Sequence, residues 1–278
     1  MKLHLKLFRT LPIAFFFVAL SSVPAHSAKT DTVETFSASM RKNIKAVIIM
    51  PDDYKASNPL PVVYLLHGYS GNYSDWVVRA KGVDQLADLH EMIIVCPDGG
   101  YGSWYWDSPV DSSSRYETYI AKELVAWVDA RYATVRSPKG RAITGLSMGG
   151  HGALFLAFRH QDVFGAAGSM SGGVDIRPFS NNWEITKRLG PYQEFPERWE
   201  SHTVINLLHL LKKDALAIII DCGRDDFFYE VNEALHRALL YRNIPHEYIS
   251  RPGGHNWPYW TNAVPFQMLF FKNFFSLP

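Results

Sequence analysis

Short runs of apolar residues alternate with amphipathic stretches along most of the chain. The runs predict strands at ETFSASM, IKAVIIM, PVVYLLHG, EMIIVCPDGG, GRAITGL, FGAAGSMSGG, LAIIIDCG and HEYISRPGG. Helical patterns lie between or after them, at 74–89, 116–132, 148–160, 230–242 and 264–275. Strands that alternate with helices predict βαβ units and a mostly parallel central sheet with helices on both faces. The fold class is therefore α/β.

The pattern loosens between the strands FGAAGSMSGG and LAIIIDCG. At 174–211 aromatic residues are scattered among Pro and Gly, and no regular periodicity persists. We expect a small cap-like excursion there, before the strand that carries Asp221. Because no repeat or low-complexity linker divides the rest, residues 29–278 are expected to form one domain.

The first 28 residues have the pattern of a secretory signal peptide. Basic side chains precede an apolar stretch at 11–20, and small residues follow it. This order predicts removal of residues 1–28, with cleavage after Ala25 or Ala28. The alternative is an uncleaved membrane anchor, but the apolar stretch is short for a spanning helix, which needs about 20 apolar residues. We expect a secreted or periplasmic protein without stable membrane insertion after signal cleavage.

Composition and charge exclude several classes of partner. Hydrophobic residues make up 47% and charged residues 20% of the chain, which is typical of globular rather than disordered proteins. The formal net charge of +1 provides no overall field that favours nucleic acid. The histidines are scattered, and neither an H-E-x-x-H motif nor a phosphate-binding glycine loop occurs. The sequence therefore predicts no metal, no cofactor and no nucleic-acid partner, and it leaves the oligomeric state open.

The two cysteines, Cys96 and Cys222, each end a short β-branched run. In an exported protein a disulfide is the first hypothesis. However, the two runs are expected to be strands on opposite sides of the sheet centre, and neighbouring strands lie about 4.8 Å apart. The Cα atoms would then be much farther apart than the roughly 7 Å that a disulfide tolerates. We predict two free thiols.

The segment GLSMG, residues 145–149, fits the G-x-S-x-G pattern of a nucleophilic serine at a sharp strand-to-helix turn. The positions two before and two after the serine must be small, because their side chains would collide across the turn. Here a β-branched strand precedes the motif and a helical pattern follows it. The helix N-terminus would favour negative charge that develops near the serine. This context predicts Ser147 as a nucleophile on an α/β-hydrolase fold.

An oxyanion hole is expected from two backbone amides. In this fold one amide belongs to the residue after the nucleophile, here Met148, and the other to the loop after an earlier central strand, here PVVYLLHG. That loop contains the step from His67 to Gly68, so the Tyr69 amide is the favoured second donor and the Gly68 amide the alternative. We interpret His67 as a structural histidine that holds the loop through a backbone hydrogen bond. It precedes the serine, whereas this fold places its base last.

The acid and the base must follow the serine in that order. Asp221 lies within its predicted strand, whereas Asp225 and Asp226 lie just beyond the strand's C-terminal end, where catalytic groups gather in such sheets. Glu230 is expected to start the next helix. Among the later histidines, His255 lies in a Gly-rich loop after the last strand. We predict His255 as the base, with an aspartate that fixes its tautomer.

Four segments together resemble one known family: LLHGYSGNYSDW, AITGLSMGGHGAL, DCGRDDFFYEVN and GGHNWPYW. They are similar to the Putative esterase (esterase D) family, which includes S-formylglutathione hydrolases, tributyrin-type esterases, feruloyl and acetyl-xylan esterase domains, and mycolyltransferases. The resemblance covers nearly the whole chain after residue 28. It implies a cofactor-free α/β-hydrolase that acts on esters or thioesters. In the family pattern C-G-x-x-D-F the acid directly precedes the Phe, which implies Asp226 rather than Asp225.

The resemblance also suggests where substrate would bind. The segment DGGYGSWYWDSP is similar to a part of the tributyrin-type esterases that lies near the active-site mouth. Trp104, Trp106 and Trp257 are therefore candidates to border the acyl or alcohol pocket, and ordinary packing is the alternative. His67 and His151 are further candidates for contact with substrate. His151 lies one helical turn from the serine, and a structural role beside the pocket is the alternative for it.

Two hypotheses about activity share the same chemistry. The first is a serine carboxylesterase that hydrolyses short-chain or aryl esters, such as feruloyl esters or acetylated sugars, through an acyl-enzyme on Ser147. The second is an acyltransferase of the mycolyltransferase type, which moves the acyl group to a sugar or lipid alcohol. S-formylglutathione hydrolysis is disfavoured, because glutathione metabolism is cytosolic and an export signal is expected. A non-catalytic binding module is disfavoured, because no triad position is lost.

Overall fold

The computed structural model describes residues 28–277, in which an eight-stranded sheet forms the centre. The strands are β1 (Lys29–Ser37), β2 (Lys42–Met50), β3 (Val62–Leu66), β4 (Ile93–Pro97), β5 (Arg141–Gly145), β6 (Ala166–Met170), β7 (Ala217–Gly223) and β8 (Glu247–Arg251). Their order across the sheet is β1-β2-β4-β3-β5-β6-β7-β8. β2 pairs antiparallel with β1 and β4, and all other neighbours are parallel. The predicted mostly parallel sheet is confirmed.

Helices cover both faces of this sheet. They are α1 (Asp75–Arg79), α2 (Val83–His90), α3 (Tyr116–Thr118), α4 (Val125–Arg131), α5 (Met148–Arg159), α6 (Ile185–Leu189), α7 (Pro196–His202), α8 (Tyr229–Tyr241) and α9 (Trp257–Phe275). α1, α2 and α9 pack on one face, where they meet Val63 and Leu65. α4, α5 and α8 pack on the other face, where they meet Tyr64 and Leu66. Alternate residues of β3 thus enter two different cores, which explains its continuous apolar sequence.

Three helical predictions differ from the structure in detail. The pattern at 74–89 forms two short helices, α1 and α2, rather than one. The pattern at 116–132 is continuous, but its middle turn, Tyr119–Leu124, is π-helical. α9 begins at Trp257 instead of residue 264, because Asn256 caps it and Pro265 is accommodated inside the helix. Because proline is favoured in the first turn of a helix, Pro265 indicates a helix that begins near residue 264, which is seven residues later than the observed start of α9.

The segment between β6 and β7 forms the expected excursion, which we call the cap (residues 174–211). It contains α6, α7 and the 3-10 turns Arg177–Phe179 and Val204–Leu210. Ile185, Leu189 and Trp199 of the cap are fully buried in the same core as α5. Arg188 also bonds to Asp111, with 2.7 Å between Nη1 and the carboxylate oxygen. The cap is therefore packed as part of the domain.

The cysteines lie at the ends of β4 and β7, with β3, β5 and β6 between these two strands. Cys96 and Cys222 are both buried and free, as predicted. Burial raises the pKa of both thiols, so they remain protonated. Among the helices of residues 28–277, none combines the length and the hydrophobicity of a transmembrane span. The predicted signal peptide lies outside the described residues except for Ala28.

Candidate active site

Ser147 lies at the turn between β5 and α5, with φ 55° and ψ −117°. A positive φ is rare for a residue with a side chain and needs support from its surroundings. The Ser147 amide donates to the Met170 carbonyl at 2.9 Å, and the Leu146 amide donates to the Leu66 carbonyl at 3.3 Å. These bonds tie the turn to the strands on either side of β5. They hold the serine in its strained conformation.

The glycines of the motif are explained by close backbone contacts. A Cβ atom on Gly145 would lie 2.6 Å from the Leu66 carbonyl oxygen. A Cβ atom on Gly149 would lie 2.5 Å from the His67 carbonyl oxygen. Both distances are shorter than any normal carbon–oxygen contact, so only glycine fits. The turn therefore lies directly against the end of β3, which brings Ser147 next to the loop that follows β3.

His255 links Ser147 to a buried aspartate. Its Nε2 lies 2.9 Å from Ser147 Oγ, and its Nδ1 lies 2.8 Å and 3.0 Å from the two carboxylate oxygens of Asp226. The Asp226 side chain is fully buried, and one of its oxygens also accepts the Phe228 amide at 2.8 Å. In this arrangement Nδ1–H donates to the carboxylate and Nε2 is free to accept the serine proton. The three side chains form a continuous hydrogen-bonded chain.

The other candidate acids have different partners. Asp225 is exposed, and its carboxylate accepts the Gly253 amide at 3.1 Å. Asp221 is fully buried and bonds to Arg251 and Tyr259. Glu230 lies in the first turn of α8. Of the acids considered, the structure brings Asp226 to His255.

The expected oxyanion donors lie beside the serine. Gly68 and Tyr69 line the same cleft as Ser147, and Met148 is the first residue of α5. Among residues 28–277 no acceptor is found for the amides of Gly68, Tyr69 or Met148. Free amides next to a nucleophile, one of them at a helix N-terminus, can bind a negatively charged oxygen. Both the Tyr69 amide and the Gly68 amide fit the role of the second donor.

A cleft of about 470 Å³ opens above Ser147. One wall is aromatic, formed by Trp183 of the cap and Phe227, whose rings stack with centroids 5.6 Å apart. Phe227 in turn packs on His255, at 4.2 Å between ring centroids. The remaining lining is more polar and includes side chains from the β3–α1 loop, α1 and the start of α9: Asn72, Asp75, Arg79, Asn256 and Trp257.

Comparison with known proteins identifies the family. Residues 37–271 match the family described as Putative esterase. The chain belongs to this family. It is 37% identical over 235 residues to Esterase Rv1288 of Mycobacterium tuberculosis (strain ATCC 25618 / H37Rv), covering 75% of this chain and 51% of that protein. The chain thus spans about half the length of the first curated relatives it matches.

Two further relatives match over more of their length. An acetyl esterase of Caldicellulosiruptor saccharolyticus is 26% identical over 261 residues, which cover 84% of this chain and 94% of that protein. A solved structure of a ferulic acid esterase superposes with a TM-score of 0.77 at 28% identity, covering 90% of this chain and all of that one. These similarities extend across the whole α/β-hydrolase domain.

Two histidines considered for substrate contact lie inside the core instead. His67 donates from Nδ1 to the Gly68 carbonyl at 2.7 Å and accepts the Gly99 amide at Nε2, at 2.8 Å. His151 is bound in the same way, between the Gly173 carbonyl at 2.8 Å and the Trp106 indole at 3.0 Å. Both rings are buried, and neither lines the cleft. Their position contradicts a substrate-binding role and favours a structural one.

Burial lowers the pKa of both histidines, that of His151 to about 3. Each ring is therefore neutral and carries its proton on Nδ1. In this tautomer one ring nitrogen donates and the other accepts, so His67 bridges Gly68 and Gly99, and His151 bridges Gly173 and Trp106.

The tryptophan predictions are correct only in part. Trp257 lines the cleft, as expected. Trp104 and Trp106 are buried, and Trp104 supports the cleft only indirectly, because its indole donates to the Trp183 carbonyl at 3.3 Å. Trp183 and Phe227 were not predicted as lining residues. The signal for Phe227 was present in the sequence, since it directly follows Asp226, whereas nothing in the irregular cap segment distinguished Trp183.

We expect His67→Ala to destabilise the fold more than loss of its ring volume explains. The variant leaves the buried Gly99 amide without an acceptor, whereas the Gly68 carbonyl keeps the Gly71 amide as a donor at 3.1 Å. The free energy of unfolding should therefore fall by roughly 1–3 kcal/mol beyond the loss of the ring. Urea unfolding monitored by tryptophan fluorescence measures this change. The control is His90→Ala, another buried histidine, whose ring makes no hydrogen bond with any described residue. Equal losses for the two variants would contradict the bridging role.

Proposed function

We propose that this chain is a serine carboxylesterase that works through an acyl-enzyme on Ser147. The observation that carries the proposal is the hydrogen-bonded chain from Ser147 through His255 to Asp226 at the floor of an open cleft. Membership of the esterase family supports it. Fluorophosphonate reagents, which label activated serines, provide a direct probe of the proposed nucleophile.

The geometry supports a two-stage reaction. His255 Nε2 takes the proton from Ser147 Oγ while this oxygen attacks the ester carbonyl, and the developing oxyanion is stabilised by the Met148 amide together with that of Tyr69 or Gly68. When the tetrahedral intermediate collapses, the C–O bond breaks, and His255 returns its proton to the alcohol that leaves. A water molecule then attacks the acyl-enzyme, again with His255 as base, and releases the acid and free Ser147.

We further propose aryl or short-chain esters as substrates, with feruloyl esters and acetylated sugars as the leading candidates. The stacked Trp183 and Phe227 rings form a wall on which a planar acyl group can pack. The names of two relatives, an acetyl esterase and a ferulic acid esterase, support these candidates. A screen across acyl chain lengths, with product analysis in the presence of a competing alcohol, distinguishes the esterase from the acyltransferase alternative.

We expect Ser147→Ala to reduce kcat for p-nitrophenyl acetate by about 10⁴- to 10⁶-fold, because no other group replaces the nucleophile.

Asp226→Asn should reduce kcat by about 10⁴-fold, because the amide favours the wrong tautomer of His255. The matched control is Asp225→Asn, which changes the adjacent but exposed carboxylate and should cost less than about tenfold. A larger loss for Asp225→Asn than for Asp226→Asn would transfer the acid role to Asp225.

We expect Trp183→Ala to change specificity rather than chemistry. Removal of this indole should lower kcat/KM for methyl ferulate by about 3- to 10-fold more than for p-nitrophenyl acetate, since an aromatic pair contributes about 0.5–1.5 kcal/mol beyond area burial. The control is Trp127→Ala, a half-buried tryptophan on α4, which should leave the ratio of the two kcat/KM values unchanged. An unchanged ratio in Trp183→Ala would exclude this wall from acyl recognition.

We also propose that the protein is exported and acts in the periplasm or outside the cell. The N-terminal sequence pattern supports this, and Ala28 packs in the apolar core beside β2, which favours cleavage after Ala25 over cleavage after Ala28. Expression with the native N-terminus, fractionation of the culture and N-terminal sequencing test the proposal. A cytosolic protein that retains Met1–Ala25 would contradict it.

A further inference from the structure

The loop that carries His255 connects two elements with fixed positions. It leaves β8 at Arg251 and enters α9 at Trp257. Arg251 lies four residues before His255, and Tyr259, in the first turn of α9, lies four residues after it. A small movement of either end would move the imidazole relative to Ser147. The position of the base therefore depends on what holds these two ends together.

One buried carboxylate contacts both ends of this loop. Asp221, near the end of β7, is fully buried. One of its oxygens accepts the Arg251 guanidinium and the other accepts the Tyr259 hydroxyl at 2.5 Å. The Arg251 guanidinium also lies over the Tyr259 ring, at 5.4 Å from its centroid. Asp221 thus cross-links the residues that flank His255 on both sides.

The middle of the loop is shaped by the same tyrosine. Gly253 has φ 133°, and a Cβ atom there would lie 2.5 Å from the Tyr259 ring. Its amide and carbonyl both bond to Asp225, at 3.1 Å and 2.9 Å. Asn256 accepts the Tyr259 amide at 3.0 Å and so caps α9. Tyr259 is therefore the surface against which the loop folds, and Asp221 holds its hydroxyl.

We propose that Asp221 is a positioning residue, which holds His255 in line between Ser147 and Asp226 by clamping Arg251 and Tyr259. This inference rests on the proposed function. Asp221 does not contact the reacting atoms, so it acts through the path of the loop. A displacement of about 1 Å in a catalytic group can reduce the rate by about 10²-fold.

The chain offers a closely matched control on the far side of the sheet. Asp129 of α4 accepts the Arg141 guanidinium and the Thr134 hydroxyl, so it pairs with one guanidinium and one hydroxyl, as Asp221 does with Arg251 and Tyr259. Its side chain is 15% exposed and that of Arg141 is 7% exposed. Neither lines the cleft. Asp129→Asn therefore reproduces the loss of a largely buried ion pair without touching the His255 loop.

The experiment compares wild type, Asp221→Asn and Asp129→Asn. Each rate is divided by the concentration of active sites, which is measured by labelling with a fluorophosphonate to completion. For Asp221→Asn we expect kcat for p-nitrophenyl acetate to fall about 10- to 100-fold with KM nearly unchanged, because the cleft walls remain. The loss should be larger for ethyl acetate, since its alkoxide needs a proton from His255 and the activated phenolate does not. Asp129→Asn should lower Tm while both rates per labelled site remain within twofold of wild type.

Tyr259→Phe is the second variant, in case Asp221→Asn does not fold. It removes one bond to the carboxylate and keeps the ring, so we expect an intermediate loss with the same bias toward ethyl acetate. The proposal is overturned if a folded Asp221→Asn, or Tyr259→Phe, keeps wild-type kcat per labelled site. It is also overturned if the two esters lose activity in equal proportion.

A readout without substrate separates this inference from the proposed function. The low-field proton resonance of His255 Nδ1–H reports its bond to Asp226 directly. This resonance should shift or disappear in Asp221→Asn and persist in Asp129→Asn, and persistence in both would overturn the clamp. If wild type shows the resonance but no Ser147-dependent ester hydrolysis, the proposed function fails while the clamp is still supported.

Discussion

The contact between the turn at Ser147 and the end of β3 leaves no space for a side chain at Gly149. A Cβ atom there would lie 2.5 Å from the His67 carbonyl oxygen. This close approach sets the distance between the nucleophile and the β3–α1 loop, and hence between Ser147 and the amides of Gly68 and Tyr69. The loop is also held from the side of β4. The His67 ring donates to the Gly68 carbonyl and accepts the amide of Gly99, which follows β4. Oxyanion stabilisation therefore depends on packing that contains no catalytic side chain.

The parallel sheet brings the remaining groups to the same edge. β5, β7 and β8 all end on the side where Ser147, Asp226 and His255 follow them. Parallel strands place their C-terminal ends at one edge of the sheet, so residues that are 108 apart in sequence can lie 2.9 Å apart in space. β6 lies between β5 and β7. Its last residue supplies the Met170 carbonyl that holds Ser147, and the segment after it supplies the Gly173 carbonyl that holds His151. The triad is thus positioned largely by backbone connections.

This division explains what the sequence could predict. The strands, their mostly parallel arrangement and the positions of Ser147 and His255 follow from apolar runs and from residues at strand ends, because backbone geometry leaves few alternatives there. The strand end alone leaves Asp225 and Asp226 both open, and the family resemblance is what selects Asp226. The orientation of the aromatic side chains in the 98–109 loop cannot be predicted from the sequence pattern. Trp104 turns into the core because residues 104 and 105 both adopt positive φ, of 55° and 63°, which no local pattern of bulky residues indicates. The same holds for His151, whose inward ring requires the distant Gly173 carbonyl.

The cap is the part of the domain in which a residue that lines the cleft is least constrained by the fold. Its attachment is strong, because Ile185, Leu189 and Trp199 are fully buried and opening would expose them to water. Yet the residue that it presents to the cleft, Trp183, is half-buried and has φ 48°. Its indole rests on the Phe227 and Trp104 rings. The Trp183 ring contacts Trp104 and neighbouring Phe rings rather than a triad side chain. A chain that keeps the Ser147 turn can therefore change the ester it accepts by changing a few aromatic side chains at the cap.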